Sequence, residues 1–77
     1  AGPHDAVRVG DWVTVSEEGF DDEERYLLVG AAEADPAAGR ISNESPLGVA
    51  LLGKKVNDIV RVNAPNGLLE FRVVKIG

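Results

Sequence analysis

The chain has 77 residues, a formal net charge of −5, no cysteine and no methionine, which makes it one small domain with a single core. The missing cysteine excludes a disulfide framework, a thiolate metal centre and a cysteine nucleophile, and no apolar run reaches membrane-spanning length. An acidic balance without a basic stripe also argues against recognition of a phosphate backbone.

The charge is unevenly spread. Between Asp11 and Glu44 there are ten carboxylates against Arg25 and Arg40, whereas from Lys54 onward five cations face Asp58 and Glu70. An acidic surface can steer a domain toward a basic protein partner, although a solvated face is its ordinary use. Lacking methionine, the chain reads as a domain of a longer protein, with residues 1–6 as linker or appended residues and residues 7–77 as the domain proper. His4, the one histidine, falls in that linker and has no partner for catalysis or metal binding in view.

Val7, Val9 and then Trp12, Val13, Thr14 and Val15 read as strand, with Gly10 and Asp11 marking a bend. Residues 17–24 hold six carboxylates around Gly19 and Phe20, the pattern of a hairpin loop between two strands. Asp21-Asp22-Glu23-Glu24 lacks the alternate-position ligands and internal glycine of a calcium loop, so no metal site is expected. Residues 25–32 read as the next strand, 33–39 as a connection punctuated by Pro36 and Gly39, and 40–42 as a short paired segment.

The strongest helix signal lies within residues 41–54. Ser45 suits the N-cap, and Pro46 suits the first helical position, where no amide proton is needed. Leu47, Ala50 and Leu51 follow at i, i+3 and i+4 to make one small apolar face. Gly53 suits a left-handed residue past the end, and Lys54 and Lys55 favour the negative helix terminus. Two turns of helix are unstable alone and must pack on a sheet. Gly48 sits mid-helix, where it costs about 1 kcal/mol relative to Ala. A close backbone approach, to the sheet or to a partner, explains its presence. Residues 58–63 and 68–76 are strands with partial two-residue alternation, joined through Pro65-Asn66-Gly67. Asn66-Gly67 predicts a hairpin with a type I′ turn. The sum is an α+β domain, four or five mostly antiparallel strands around one short helix.

Ser42-Asn43-Glu44-Ser45-Pro46-Leu47-Gly48-Val49-Ala50-Leu51-Leu52-Gly53-Lys54 resembles the signature of the C-terminal domain of the bacterial transcript-cleavage factors GreA and GreB. Tyr26-Leu27-Leu28-Val29-Gly30 with Glu33-Ala34-Asp35 is similar to a second segment of that family. Asp58-Ile59-Val60, Pro65-Asn66-Gly67 and Glu70-Phe71-Arg72-Val73-Val74-Lys75-Ile76 are similar to its closing segment. The resemblance implies an FKBP-like fold, a twisted antiparallel sheet around one short helix. It also implies docking on a coiled coil of the largest catalytic subunit of bacterial RNA polymerase, at the rim of the secondary channel. In that family a separate N-terminal coiled coil enters the channel and helps hold the magnesium ion that cleaves backtracked RNA. No heptad pattern occurs in these residues, so the acidic run 17–24 does not inherit that chemistry.

Carried over by position, the docking surface would centre on Ser42, Asn43, Glu44, Ser45 and Pro46, with Leu47 beside them. The domain is expected to be a cytoplasmic monomer without cofactor, catalytic group or direct nucleic-acid contact. Two alternatives stay open: a Gre-like regulator that binds polymerase without promoting cleavage, and a peptidyl-prolyl isomerase suggested by the fold. Four aromatics scattered through strands and loops are few for an isomerase pocket, and fold does not imply function. A partly exposed Trp12 would make a good interface anchor.

Overall fold

The computed structural model describes residues 6–77; His4 and the remainder of the expected linker before Ala6 lie outside the described residues. Five strands form one sheet: β1 (Trp12–Glu17), β2 (Glu23–Val29), β3 (Arg40–Ser42), β4 (Ile59–Ala64) and β5 (Gly67–Ile76), in the order β3-β2-β1-β5-β4. One helix, α1 (Pro46–Leu51), lies between β3 and β4 in sequence. This is the expected α+β architecture, five strands and one short helix.

Alternation places the core on one face. In β1, Val13 and Val15 are buried while Trp12 and Thr14 turn to the other side. Leu28, Ile41, Val60, Phe71 and Val73 join them, and Leu51 from α1 completes the cluster at 0% exposure. Val13 pairs with Ile76 and Thr14 with Lys75, but Val15 pairs with Val73, so Val74 is skipped in a bulge. The bulge shifts the phase of β5 by one residue. Phe71 and Val73 therefore face inward, and so does Ile76 rather than Lys75. That explains why the alternation in 68–76 looked only partial in the sequence.

Several local expectations are corrected. The strands are mostly antiparallel, as expected, but the sheet is mixed, because β3 runs parallel to β2, with Leu27, Leu28 and Val29 opposite Arg40, Ile41 and Ser42. A parallel neighbour needs a crossover rather than a hairpin. Residues 30–39 supply it with two 3₁₀ turns, Ala31–Glu33 and Pro36–Ala38. The second strand accordingly stops at Val29 instead of continuing to Ala32. The β4–β5 hairpin is present, but Ala64 pairs with Gly67, so Pro65 and Asn66 occupy the two central positions. Proline holds φ near −65° and cannot enter a type I′ turn, which needs positive φ at both centres. Gly67 takes the positive φ, +127°, and Asn66 does not.

The first valines do not form a strand. Val9 is exposed beside the turn at Gly10, whereas Val7 is 1% exposed and crosses the end of the helix. Its amide donates to the Lys54 carbonyl (2.8 Å), and its carbonyl accepts from the Gly53 amide (2.9 Å). Gly53 has the left-handed φ expected of it, +78°, but as the third residue of a turn closed by the Lys54 amide on the Leu51 carbonyl (3.0 Å). With Leu52 at φ −55° and ψ 129°, this is a type II β-turn. Lys54 and Lys55 thus lie beyond the turn, and no basic residue sits in the last turn of α1.

Candidate functional site

The loop from Ser42 to Pro46 is built from hydrogen bonds between short polar side chains and nearby backbone. The Ser42 carbonyl accepts from both the Ser45 amide (3.0 Å) and the Ser45 hydroxyl (2.7 Å). The Ser45 Oγ in turn accepts from the Gly48 amide at 3.1 Å, which is the expected N-cap. The Ser42 Oγ accepts from the Glu44 amide (2.9 Å), and the Asn43 amide donates to Val29 at the end of β2 (2.9 Å). The loop is thereby locked to the β2–β3 edge of the sheet.

Gly48 shows why. A Cβ built on it would collide with the Ser42 carbonyl oxygen and come within 2.9 Å of its carbon. The close approach left open by the sequence is therefore made to the domain's own sheet, at the end of β3. At this third helical position only glycine, with no Cβ, lets the first turn sit so tightly against the strand.

With the two serines bonded inward and Leu47 packed on the core, Glu44 and Pro46 are the exposed members of the loop. They open onto a groove of about 540 Å³ between α1 and β4, lined also by Val49, Ala50, Arg61, Val62 and Asn63. A second, smaller hollow of about 270 Å³ shares Ala50 and Arg61 and extends along β4 to Lys54 and Ile59. Ser42, Asn43, Ser45 and Leu47 do not line either hollow. Val49 is 57% exposed, and Arg61 is fixed across the hairpin by Glu70 at 2.8 Å.

Of the groove-lining residues outside the loop, Val49, Arg61, Val62 and Asn63 are not among those the sequence marks out, although for the helix a signal exists. Pro46, Val49 and Ala50 stand at i, i+3 and i+4, a second helical face beside the Leu47, Ala50 and Leu51 face that was read as core. Arg61 and Val62 come to the site only through tertiary packing.

The aromatics do not converge. Phe71 is buried in the core, Phe20 stands 62% exposed at the β1–β2 loop, and Trp12 stacks under the Arg25 guanidinium at 4.2 Å. Tyr26 packs at the core edge and donates its hydroxyl to the Glu24 carboxylate at 2.7 Å. Burial, and then the bond to Glu24 and its negative charge, push the Tyr26 hydroxyl up to about 12. None of the four lines the groove. Among the described residues no three His, Cys, Asp or Glu side chains are grouped to hold a metal ion, and no helix is long and apolar enough to cross a membrane.

Comparison with known proteins fits this geometry. The family model described as "Transcription elongation factor, GreA/GreB, C-term" matches residues 2–77. Transcription elongation factor GreA of Clostridium botulinum (strain Langeland) is 47% identical over 74 residues, covering 96% of this chain and 46% of that protein. The GreA of Clostridium beijerinckii is 51% identical with the same coverage. The chain therefore spans about half the length of the curated relatives it matches. Among solved structures, Thermus aquaticus Gfh1 superposes with a TM-score of 0.84 at 34% identity, covering 97% of this chain and 50% of that one. The GreA/GreB factor of Nitrosomonas europaea gives 0.81 at 29%, covering 96% and 62%. A match across nearly the whole chain, in family model, sequence and fold alike, means that this chain belongs to the GreA/GreB transcription elongation factor family and corresponds to its C-terminal domain.

Proposed function

We propose that residues 7–77 form a docking domain for bacterial RNA polymerase, which grips the coiled coil at the rim of the secondary channel with the loop into α1 and the groove beside it. The observation that carries this reading is the placement of Glu44 and Pro46, in a loop held by its own hydrogen bonds, on the lip of an open groove with Val49 exposed on its wall. An apolar strip with a polar rim is the usual anatomy of a protein–protein contact. A prearranged loop also loses little conformational entropy on binding. Ser42, Asn43, Ser45 and Leu47 contribute by holding that loop in shape.

In the longer protein this docking would deliver a coiled-coil domain toward the polymerase's catalytic centre, in the cytoplasm, and so promote cleavage of backtracked RNA. The domain itself acts as a monomeric binding module and not as an enzyme. The scattered aromatics weigh against prolyl isomerisation, because no aromatic lines the groove. A second reading is a factor that docks in the same way without promoting cleavage, since the same fold also occurs in Gfh1, a GreA factor homologue. The 47–51% identity to GreA proteins supports the first.

The test is a titration of the domain against polymerase core enzyme, with Pro46→Glu, Val49→Glu and Lys75→Glu. The first two should weaken binding about tenfold or more, as expected for residues near the centre of an interface. Lys75, on the last strand away from the groove, should matter little. Equal losses in all three variants, with each fold intact by circular dichroism, would sink the assignment of this surface.

A further inference from the structure

The Asn66-Gly67 pair has no part in the docking reading, and its expected turn chemistry proved wrong, so its exposure at the hairpin tip calls for another account. Asn66 is exposed, occupies the second centre of a two-residue loop, and among the described residues no hydrogen bond holds its side chain. The next residue has no side chain to shield its amide, and the space where a Cβ would stand is empty to 4 Å. We propose that Asn66 is a site of spontaneous deamidation, a slow covalent change that alters the β4–β5 hairpin independently of any partner.

The step balances without any reagent but water. The Gly67 backbone nitrogen gives up its proton to solvent base and attacks Cγ of Asn66. The bond from Cγ to the side-chain nitrogen breaks, and that nitrogen leaves as ammonia. Water then opens the five-membered succinimide at either carbonyl, which leaves aspartate or isoaspartate. Nothing is oxidised or reduced. Attack requires the Gly67 amide to leave its pairing with Ala64, which is the last pair of the ladder and the first to fray. The other three asparagines are followed by side-chain-bearing residues: Asn43 by Glu44, Asn57 by Asp58 and Asn63 by Ala64. They serve as internal controls.

The isoaspartate product routes the main chain through Cβ and Cγ, which lengthens a loop that has room for two residues between Ala64 and Gly67. The aspartate product adds only a charge. Asn63, next to that closing pair, lines the groove, so the change reaches the edge of the α1–β4 surface.

The experiment is a time course of the folded domain at mildly alkaline pH, read by peptide mapping and by enzymatic labelling of isoaspartate. The expected result is progressive loss of the unmodified Asn66 peptide, faster at higher pH, while the Asn43, Asn57 and Asn63 peptides remain intact. Asn66→Gln should abolish the labelling, because its longer side chain does not close the five-membered ring. The isoaspartate fraction should melt below Asn66→Asp, which keeps the ordinary backbone. Loss at Asn66 no faster than at the other three asparagines, with rapid loss once the chain is denatured, would mean that the hairpin protects the site, and would overturn the proposal. Equal melting of the isoaspartate fraction and Asn66→Asp would overturn its effect on the hairpin.

Discussion

The loop that enters α1 and the loop that joins β1 to β2 are both polar and short, and they are held in opposite ways. In the first, Ser42 and Ser45 turn their hydroxyls onto neighbouring backbone, and the turn presses against β3 so closely that Gly48 has no room for a methyl group. In the second, residues 18–22 cross from β1 to β2 with Gly19 at φ +91° and Phe20 standing outward. There the Ser16 hydroxyl reaches the Phe20 carbonyl at 3.3 Å, and Glu18 meets Arg72 on the exposed surface at 3.0 Å. One loop is fixed by short bonds in a half-buried setting, the other by the strands on either side of it. High charge thus marks the loop with fewer internal constraints, and small polar residues mark the one proposed as the docking surface.

The largest effect should come from Gly48→Ala. Helix propensity alone would favour alanine by about 1 kcal/mol. The new methyl, however, would drive the Ser42 carbonyl away from both bonds it accepts from Ser45, so the steric term should win. Net destabilisation of about 1–3 kcal/mol is expected from urea unfolding, a large share for so small a domain. Gly30→Ala is the matched control: its φ is −70° and nothing lies within 4 Å of an added Cβ, so its change should stay within about 0.5 kcal/mol. If both variants lose the same stability, the tight entry of α1 is not what fixes this loop. Ser45→Ala comes next. It removes the cap on the Gly48 amide and one of the two donors to Ser42, at about 1 kcal/mol in the same unfolding experiment.

The sequence carried these local devices well, because each depends on residues close in the chain. Ser45, Pro46 and the positive φ of Gly53 follow from bonding rules over four or five residues, and the acidic hairpin from two strand patterns flanking a turn. What it did not disclose was set at longer range. Val7 looks like strand, yet it serves as a strap across Leu51–Lys54, and no local pattern distinguishes the two roles. The parallel placement of β3 depends on two 3₁₀ turns in a stretch that reads only as loop. The bulge at Val74 hides the alternation of β5. In the hairpin, the strong Asn-Gly signal concealed a stronger constraint one residue earlier, Pro65. Of the candidate surface, the loop was legible, whereas the wall contributed by Arg61, Val62 and Asn63 required α1 and β4 to be brought together.

A smaller effect sharpens the comparison at the foot of the acidic loop. Tyr26 is the one tyrosine in the chain, so tyrosinate absorbance reports it alone. Its folded pKa of about 12 lies above the ordinary value of 10. The unfolded chain therefore loses the phenol proton first as pH rises. The stability from this group is complete below pH 10 and should fall away as pH climbs toward about 12. Glu24→Gln removes the nearby charge and should bring the titration part of the way back, leaving the share due to burial. An unchanged titration in that variant would mean that Glu24 has no hold on Tyr26.

The smallest change is expected at the most conspicuous residue. Phe20 is 62% exposed among carboxylates, and on composition alone an exposed aromatic invites a role in binding. Its backbone is engaged, since its amide donates to the Glu17 carbonyl (3.1 Å) and its own carbonyl accepts from Ser16, but the ring lies outside the core cluster. Phe20→Ser leaves both backbone bonds possible and removes only an apolar surface already in water. Stability should move by no more than about 0.5 kcal/mol, as for surface substitutions in general. Polymerase binding should be unchanged, because the ring is no part of the α1–β4 groove. A loss of binding at Phe20 to match that at Pro46 would reverse the comparison. Partner recognition would then belong to the charged loop, with its exposed ring as the anchor, and the tightly bonded entry to α1 would serve the fold alone.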